Sequence, residues 1–150
     1  MQRIAVFTVA LLATAVAHGQ SPGVVVVPSP YPVAETVDRL ESALKAAGGF
    51  QIFARVDFQA LAATQGGKVL PEQLLLFGRG AVLEPIRPVT PVAAIDLPLK
   101  ALVWEDASGK VWLAYNTGEY LAQRHGVQGR DEVLKRITDV TAALAKSATQ

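Results

Sequence analysis

The sequence has no cysteine and only two histidines, and these shortages remove several classes of chemistry. Without cysteine there can be no disulfide, no thiolate nucleophile and no thiolate metal ligand. His18 lies in an N-terminal segment that we expect to be removed, so His125 is the only histidine expected in the folded domain. Because zinc and copper sites usually combine several His or Cys ligands, we expect no metal site and no cofactor.

Charged residues are also scarce, at 18% of the chain, and the formal net charge is only +1. The basic residues are scattered singly, whereas nucleic-acid-binding proteins usually carry a basic excess or a basic stripe. We therefore expect no nucleic-acid partner. Hydrophobic residues make up 51% of the chain, which is enough to bury a sizeable core and argues against intrinsic disorder.

The N-terminal segment has the features of a cleaved signal peptide. Arg3 precedes an uncharged apolar run at residues 4–16, which is too short to span a bilayer. Ala17 and Gly19 are small residues at the two positions that signal peptidase reads, so we expect cleavage before Gln20, with a second possible site after Ala17. A membrane anchor or a buried first helix is the alternative.

Cleavage at this point divides the chain into a signal peptide, residues 1–19, and one domain, residues 20–150, whose folded core covers about residues 24–146. The protein would then reside in the bacterial periplasm or be secreted. After cleavage we expect it to make no contact with a membrane.

Hydrophobic periodicity predicts the element order β-α-β-(α)-β-(irregular)-β-β-α-α. The most regular element is a helix from Val33 to Ala47, whose apolar positions repeat every three or four residues and which ends at Gly48 and Gly49. Prolines interrupt residues 79–99, where we expect one or two short helical pieces. The hairpin and the terminal helices favour an α+β fold, an antiparallel sheet with helices on one face. Strands are predicted at residues 24–27, 50–58, 73–77, 100–105 and 110–116, and further helices at residues 59–65, 117–126 and from 131.

The register of the last hairpin decides which of its side chains are buried. A four-residue loop at residues 106–109 pairs Glu105 with Lys110 and exposes one apolar set, Val103, Trp112 and Ala114. An exposed patch around a tryptophan is typical of a partner surface, so we predict that these three residues form a homodimer interface. A buried second sheet face is the alternative. The predicted core face of the hairpin contains Leu102, Trp104, Val111, Leu113 and Tyr115.

Six residues are candidates for a small-molecule site. The turn at Gly78 and Arg79 follows a buried strand, and its amides and guanidinium suit an anion, although the spacing is not that of a phosphate loop. Tyr115 and Asn116 end the fifth strand, where a cleft between sheet and helices would open. Each also has an ordinary structural explanation in a turn, a cap or the core. The full candidate set is Asp57, Gly78, Arg79, Asp96, Tyr115 and Asn116.

The sequence offers few conventional catalytic groups, and we predict no catalytic residue. Glu105 and Asp106 lie at an exposed hairpin end, where acids are ordinary turn residues. His125 is explained by the favourable position of a cation at a helix C-terminus. No serine of the chain has the sequence context of a nucleophile elbow.

A set of short motifs, in this order and spacing, resembles the DUF302 family over about residues 24–146. The resemblance implies an α+β fold of the TATA-binding-protein-like, helix-grip class, often dimeric, with no established biochemical activity. The motifs are TVDRLESALKAAG at residues 36–48, FARVD at 53–57, LLLFG at 74–78, DLPLK at 96–100, VWED at 103–106, GKVW at 109–112, and Tyr115.

Two departures from the family pattern bear on function. Many members carry a histidine where this chain has Phe58, and the family's FG-N-P-like turn here continues with Arg79 and Gly80. We therefore expect a non-enzymatic exported domain that binds a small ligand or self-associates. The alternative is a periplasmic enzyme acting on a small metabolite through Asp57, Arg79 or Tyr115.

Overall fold

The computed structural model describes residues 22–80 and 84–150, so the predicted signal peptide lies outside the described residues. The described residues contain strands β1 (Val24–Ser29), β2 (Gln51–Asp57), β3 (Glu72–Gly78), β4 (Leu99–Glu105) and β5 (Val111–Asn116). They also contain helices α1 (Val33–Ala47), α2 (Phe58–Thr64), α3 (Gly118–His125) and α4 (Asp131–Thr149), and a 3-10 helix at Pro91–Asp96.

Local sequence signals account for the bounds of the helices. Pro32 caps the start of α1, and Gly48 after its end has a φ of 68°, a conformation that suits glycine. The Thr117 hydroxyl accepts the Tyr120 N–H at the start of α3, which ends at Gly126 in the left-handed region. The helix α4 has Arg130 at its N-cap position and Asp131 as its first residue.

The strands form one antiparallel sheet in the order β1-β5-β4-β3-β2, which confirms the predicted α+β fold. The first strand of the domain therefore pairs with the last one and lies at a sheet edge. Pro28 has no backbone N–H to donate. An edge strand tolerates it because such a strand pairs with a neighbour on one side only.

Helices α1 and α4 pack on one face of this sheet and close the core. Val133 and Val140 of α4 are only half-buried. The buried positions along this helix are Leu134, Ile137, Thr141, Leu144, Ala145 and Ala148. From α1 the core takes Val33, Val37, Leu40 and Leu44, and from the sheet Leu75, Phe77, Leu99, Ala101, Val103, Val111, Leu113 and Tyr115.

The predicted hairpin register is wrong by one residue. The loop contains three residues between Asp106 and Lys110, and Glu105 pairs with Val111. Gly109 occupies the left-handed position with a φ of 81°, as three-residue hairpin loops require. Because the register differs by one residue, the side chains of β5 lie on the predicted faces, whereas each side chain of β4 lies on the face opposite to the predicted one.

The reversal corrects two residue assignments. Val103 was predicted to lie at an interface, but it faces the helices and is 0% exposed. Trp104 was predicted to lie in the core, but it lies on the outer face, half-buried and directly opposite Trp112. The sequence misleads here because β4 is apolar on both of its faces, so its pattern does not select a register.

The alternation predicted for β2 is interrupted by a β-bulge. The register shifts between Ile52 and Ala54, which leaves Phe53 unpaired and 57% exposed. A bulge inserts one residue, so Ile52 is opposite Phe77 on the core side while Ala54 is opposite Leu76 on the outer side. The apolar side chains of β2 thus divide between the two faces.

Two neighbouring leucines of β3 test the assignment of the faces. We expect Leu75→Ala, at a position that is 0% exposed, to lower the free energy of unfolding by about 2–5 kcal/mol. Leu76→Ala removes the same atoms from the half-buried outer face and should cost roughly 1 kcal/mol. Urea denaturation measures both, and equal losses would contradict the two-faced description of the sheet.

Candidate functional site

The structure does not gather the six predicted ligand-binding residues into one site. Gly78, Arg79, Asp96 and Asn116 lie at one end of the sheet, where β3 and β5 end and β4 begins. Asp57 lies at the opposite end, because it closes β2, which starts opposite Gly78. The remaining candidate, Tyr115, lies on β5 and faces the helix layer.

Asp57 stabilises the start of α2 rather than binding a ligand in this structure. Its carboxylate accepts the Ala60 N–H at 2.9 Å and the side-chain amide of Gln73 at 3.0 Å. The side chain of Arg55, two residues earlier on β2, extends toward the acidic side chains Asp38 and Glu41 of α1. The two residues are connected only through Gln73, whose side-chain oxygen accepts from Arg55.

Arg79 follows β3 and its side chain lies beside the glycine pair that ends α1. A Cβ at Gly49 would lie 3.0 Å from Arg79 Nε, so glycine gives the guanidinium its space. Asp57 and Arg79 are about 20 Å apart along the β2–β3 pair, and Tyr115 lies in β5, beyond β4 from both strands. The three residues of the enzyme alternative therefore do not meet in one site.

Asp96 is surrounded by three basic side chains that the sequence did not connect to it. His125 Nε2 lies 2.6 Å from its carboxylate, Arg124 Nε 2.8 Å and Lys100 Nζ 3.9 Å. The His125 side chain is 5% exposed, so this contact is largely shielded from solvent. The cluster fastens the 3-10 helix to α3. No sequence signal predicts it, because the two partners are 29 residues apart and both were explained as helix caps.

The outer sheet face is broad and apolar. The long helices α1 and α4 lie on the other face, and the outer side chains are half-buried. Trp104 and Trp112 are opposite each other near the hairpin end of this face, with Ala114 next along β5. Of the predicted interface residues, Trp112 and Ala114 therefore lie on this face. Its apolar members are Val24, Val26, Val56, Leu74, Leu76, Leu102, Trp104, Trp112 and Ala114.

Trp112 is held in place by the hairpin loop. Its Nε1–H donates to the Asp106 carboxylate at 2.7 Å, and Lys110 Nζ lies 4.0 Å from the centre of its ring. The Asp106 carboxylate also accepts from the Ser108 hydroxyl and from the backbone N–H groups of Ser108 and Lys110. The Ser108 hydroxyl and the Trp112 indole are the main causes that hold the Asp106 pKa well below its ordinary value.

Tyr115 lines a groove of about 590 Å³ between β1 and α4. It is 7% exposed, and burial raises the pKa of its phenol above the usual value. The rest of the lining comes from the C-terminal half of β1 and from the end of α4: Val27, Pro28, Ser29, Pro30, Ala142, Ala145, Lys146, Thr149 and Gln150.

Comparison with known proteins identifies the family. A family model described as a domain of unknown function, DUF302, matches residues 25–144. The chain belongs to the DUF302 family. A crystal structure of an uncharacterized conserved DUF302 protein from Bacillus stearothermophilus superposes with a TM-score of 0.75 at 18% identity. The match covers 85% of this chain and 99% of that one, and it supports the DUF302 fold.

Some curated relatives of this DUF302 chain are named as ion channels. The chain is 38% identical over 130 residues to proteins called fluoride-specific ion channels in Brucella suis and Brucella abortus. The match covers 84% of this chain but only 50% and 47% of those relatives, so the chain spans about half their length. Within residues 22–80 and 84–150, no helix is long and apolar enough to cross a membrane. The same residues contain no group of three or more His, Cys, Asp or Glu side chains placed to hold a metal ion.

Substitution of Asp106 tests the hairpin that positions Trp112. Asp106→Asn should lower the urea midpoint at pH 7, because an amide nitrogen cannot accept the N–H groups that the carboxylate now accepts. The folded pKa lies below the ordinary value of 3.8, so the charged carboxylate adds stability above that pH, which is lost as the pH falls. The difference in urea midpoint between the native protein and Asp106→Asn should therefore become smaller from pH 7 to pH 2.

Asp139→Asn is the control for this measurement, since it removes one carboxylate from an exposed ion pair on α4. If the urea midpoints of Asp106→Asn and the native protein differ by the same amount across this pH range, the charged carboxylate does not stabilise the loop.

Proposed function

We propose that this DUF302 domain is an exported, non-enzymatic module that self-associates through the outer face of its sheet. The observation that carries the proposal is the apolar outer face that contains Trp104 and Trp112. Sheets of this kind normally present polar side chains on the face that remains in water. An apolar second face is therefore the feature that most needs a partner.

The size of the outer face supports this proposal. A strand spacing of about 4.8 Å and a rise of about 3.4 Å per residue give the five strands a footprint of roughly 500 Å². The largest apolar patches on monomeric proteins measure about 300–600 Å² and are often functional. A homodimer would cover two such faces at once, since a two-fold interface uses the same patch on both chains.

The position of Trp112 also favours a binding role. Its ring is already held by Asp106 and Lys110, so little side-chain freedom is lost when a partner covers it. Tryptophan is among the residues that contribute most to interface energies. The candidate catalytic groups, by contrast, are separated or serve as caps and ion pairs, which supports a non-enzymatic role.

Trp112→Glu tests self-association. We expect the native protein to be a dimer, and a charge in place of this tryptophan should raise the dimer dissociation constant at least about thirtyfold, corresponding to a loss of about 2 kcal/mol or more. The monomer should stay folded but become less stable, because Trp112 is outside the helix-covered core while its indole bonds to the Asp106 carboxylate. Sedimentation equilibrium measures the dissociation constant, and circular dichroism monitors the fold.

Lys135→Glu, on the exposed side of α4, is the matched control and should leave the dimer unchanged. A native protein that stays monomeric at high concentration, or a Trp112→Glu variant that dimerises as tightly as the native chain, would exclude the outer face as the interface.

We propose as a second candidate that the module works beside a membrane channel. The observation behind it is the match to about half of each Brucella relative named as a fluoride-specific ion channel. A channel needs segments that cross the bilayer, and the described residues of this chain contain no such helix. The shared half would then be the accessory part of those relatives, and this chain would supply the corresponding part.

Co-purification tests the second candidate. The purified chain should be retained in detergent by the half of the Brucella suis protein that it does not match, and an excess of that protein's own matching half should displace it. Retention of the relative's own half but not of this chain would exclude the second candidate.

A further inference from the structure

We infer that two copies of this chain pack outer face to outer face with antiparallel strands, which brings Lys100 of each chain to the partner's Glu72. This inference rests on the proposed self-association and adds the arrangement of the two chains. The partner is a second copy of this chain, and two symmetry-related ion pairs set its orientation.

Two charges of opposite sign lie at opposite ends of the outer face. Glu72 begins β3 directly opposite Trp104, at the end where β4 and β5 are joined by their hairpin loop. Lys100, four residues before Trp104 on β4, lies about 14 Å away along the strands. The buried side chains of β3 and β4 have odd residue numbers, so both charged residues belong to the outer face. Apolar side chains, among them Leu74 and Leu102, separate the negative end from the positive end.

Glu72 is available to a cation from a partner. The other acid at this end, Asp106, already accepts the Trp112 indole N–H, and Lys110 lies over the same ring. Glu72 has no hydrogen bond and no ion pair among the described residues. It borders a groove of about 350 Å³ beside α2, so an incoming side chain has space next to its carboxylate.

Lys100 is only loosely held within one chain. Its Nζ lies 3.9 Å from the Asp96 carboxylate, which is too long for a hydrogen bond. Asp96 is contacted more closely by Arg124 at 2.8 Å and by His125 at 2.6 Å. The flexible four-carbon stem of a lysine lets its ammonium turn to another anion. Lys100 can therefore pair with a second chain while Asp96 keeps its nearer partners.

Two-fold symmetry and charge together select the orientation of the two chains. A symmetric homodimer uses the same patch on both chains, and aligned sheets keep their strand directions within about 30° of each other. Parallel strands would bring the two Lys100 side chains to one end of the interface and the two Glu72 side chains to the other. Antiparallel strands, related by a two-fold axis that crosses them near Leu102, instead place each lysine at the glutamate end of the partner. Like charges facing each other are unfavourable, so the antiparallel arrangement is the one that fits.

The spacing of packed sheets allows these ion pairs to form. Two sheets packed face to face lie about 10 Å apart, and a lysine and a glutamate that extend toward each other span this gap. A rotation of about 30° shifts the ends of a 14 Å span by about 3.5 Å, which is less than one strand spacing. The two pairs would flank the apolar middle of the interface.

Charge reversal in the full protein tests the arrangement. Lys100→Glu would place two acids opposite each other at both ends of the dimer, and Glu72→Lys would place two bases there. Each variant alone should therefore raise the dimer dissociation constant about tenfold or more. An equimolar mixture of the two variants should dimerise about as tightly as the native protein, since each mixed dimer contains one native and one reversed ion pair. Sedimentation equilibrium measures all three dissociation constants.

Lys135→Glu makes the same charge change on the exposed side of α4 and should leave the dimer unchanged. Thermal melts monitor the fold of each variant. If Lys100→Glu is unfolded, a double-mutant cycle of Lys100→Gln and Glu72→Gln decides the outcome. Residues that pair should then give a double variant that dimerises no more weakly than either single variant, whereas additive losses would overturn the pairing.

The possible failures can be told apart. A native protein that stays monomeric contradicts the proposed self-association and this arrangement with it. A native dimer that Trp112→Glu disrupts, but whose two charge-reversed variants do not recover on mixing, retains the outer-face interface and overturns the antiparallel arrangement. Charge-reversed variants that each dimerise as tightly as the native chain overturn it as well.

Discussion

The pairing of Glu105 with Val111 is the constraint on which the rest of this structure depends. A three-residue loop sets this pairing, and Asp106 holds the loop by accepting N–H bonds from Ser108 and Lys110. Because β3 pairs with β4, a shift of one residue would turn the side chains of both strands to the opposite faces. The hairpin therefore decides which apolar side chains the helices cover.

The central strands are apolar on both sides, and this property connects the core to the proposed function. Burying one face under α1 and α4 forms the core, and the same strands then leave a second apolar face around Trp112. The cost of exposing that face to water is what a partner would remove. The proposed self-association and the stability of the fold would thus originate in the same strands.

Polar residues that resembled a site in the sequence mostly connect elements of the fold. Asp57 caps α2, Arg55 joins the edge strand to α1, and Asp96 joins the 3-10 helix to His125. Tyr115 differs because its hydroxyl has no partner within the described part of the chain, although its ring is buried.

The sequence by itself determined the α+β class, the order of the elements, the bounds of α1 and the DUF302 membership. These properties depend on local periodicity, on caps and glycines, and on ordered short motifs, all of which are written in neighbouring residues. Only the tertiary structure decided the register of β4, the bulge at Phe53 and the contact between Asp96 and His125. The bulge and the register each depend on one extra residue in a strand, and the contact between Asp96 and His125 joins residues that are distant in sequence. Because β4 is apolar on both faces, its local sequence does not indicate which face is buried.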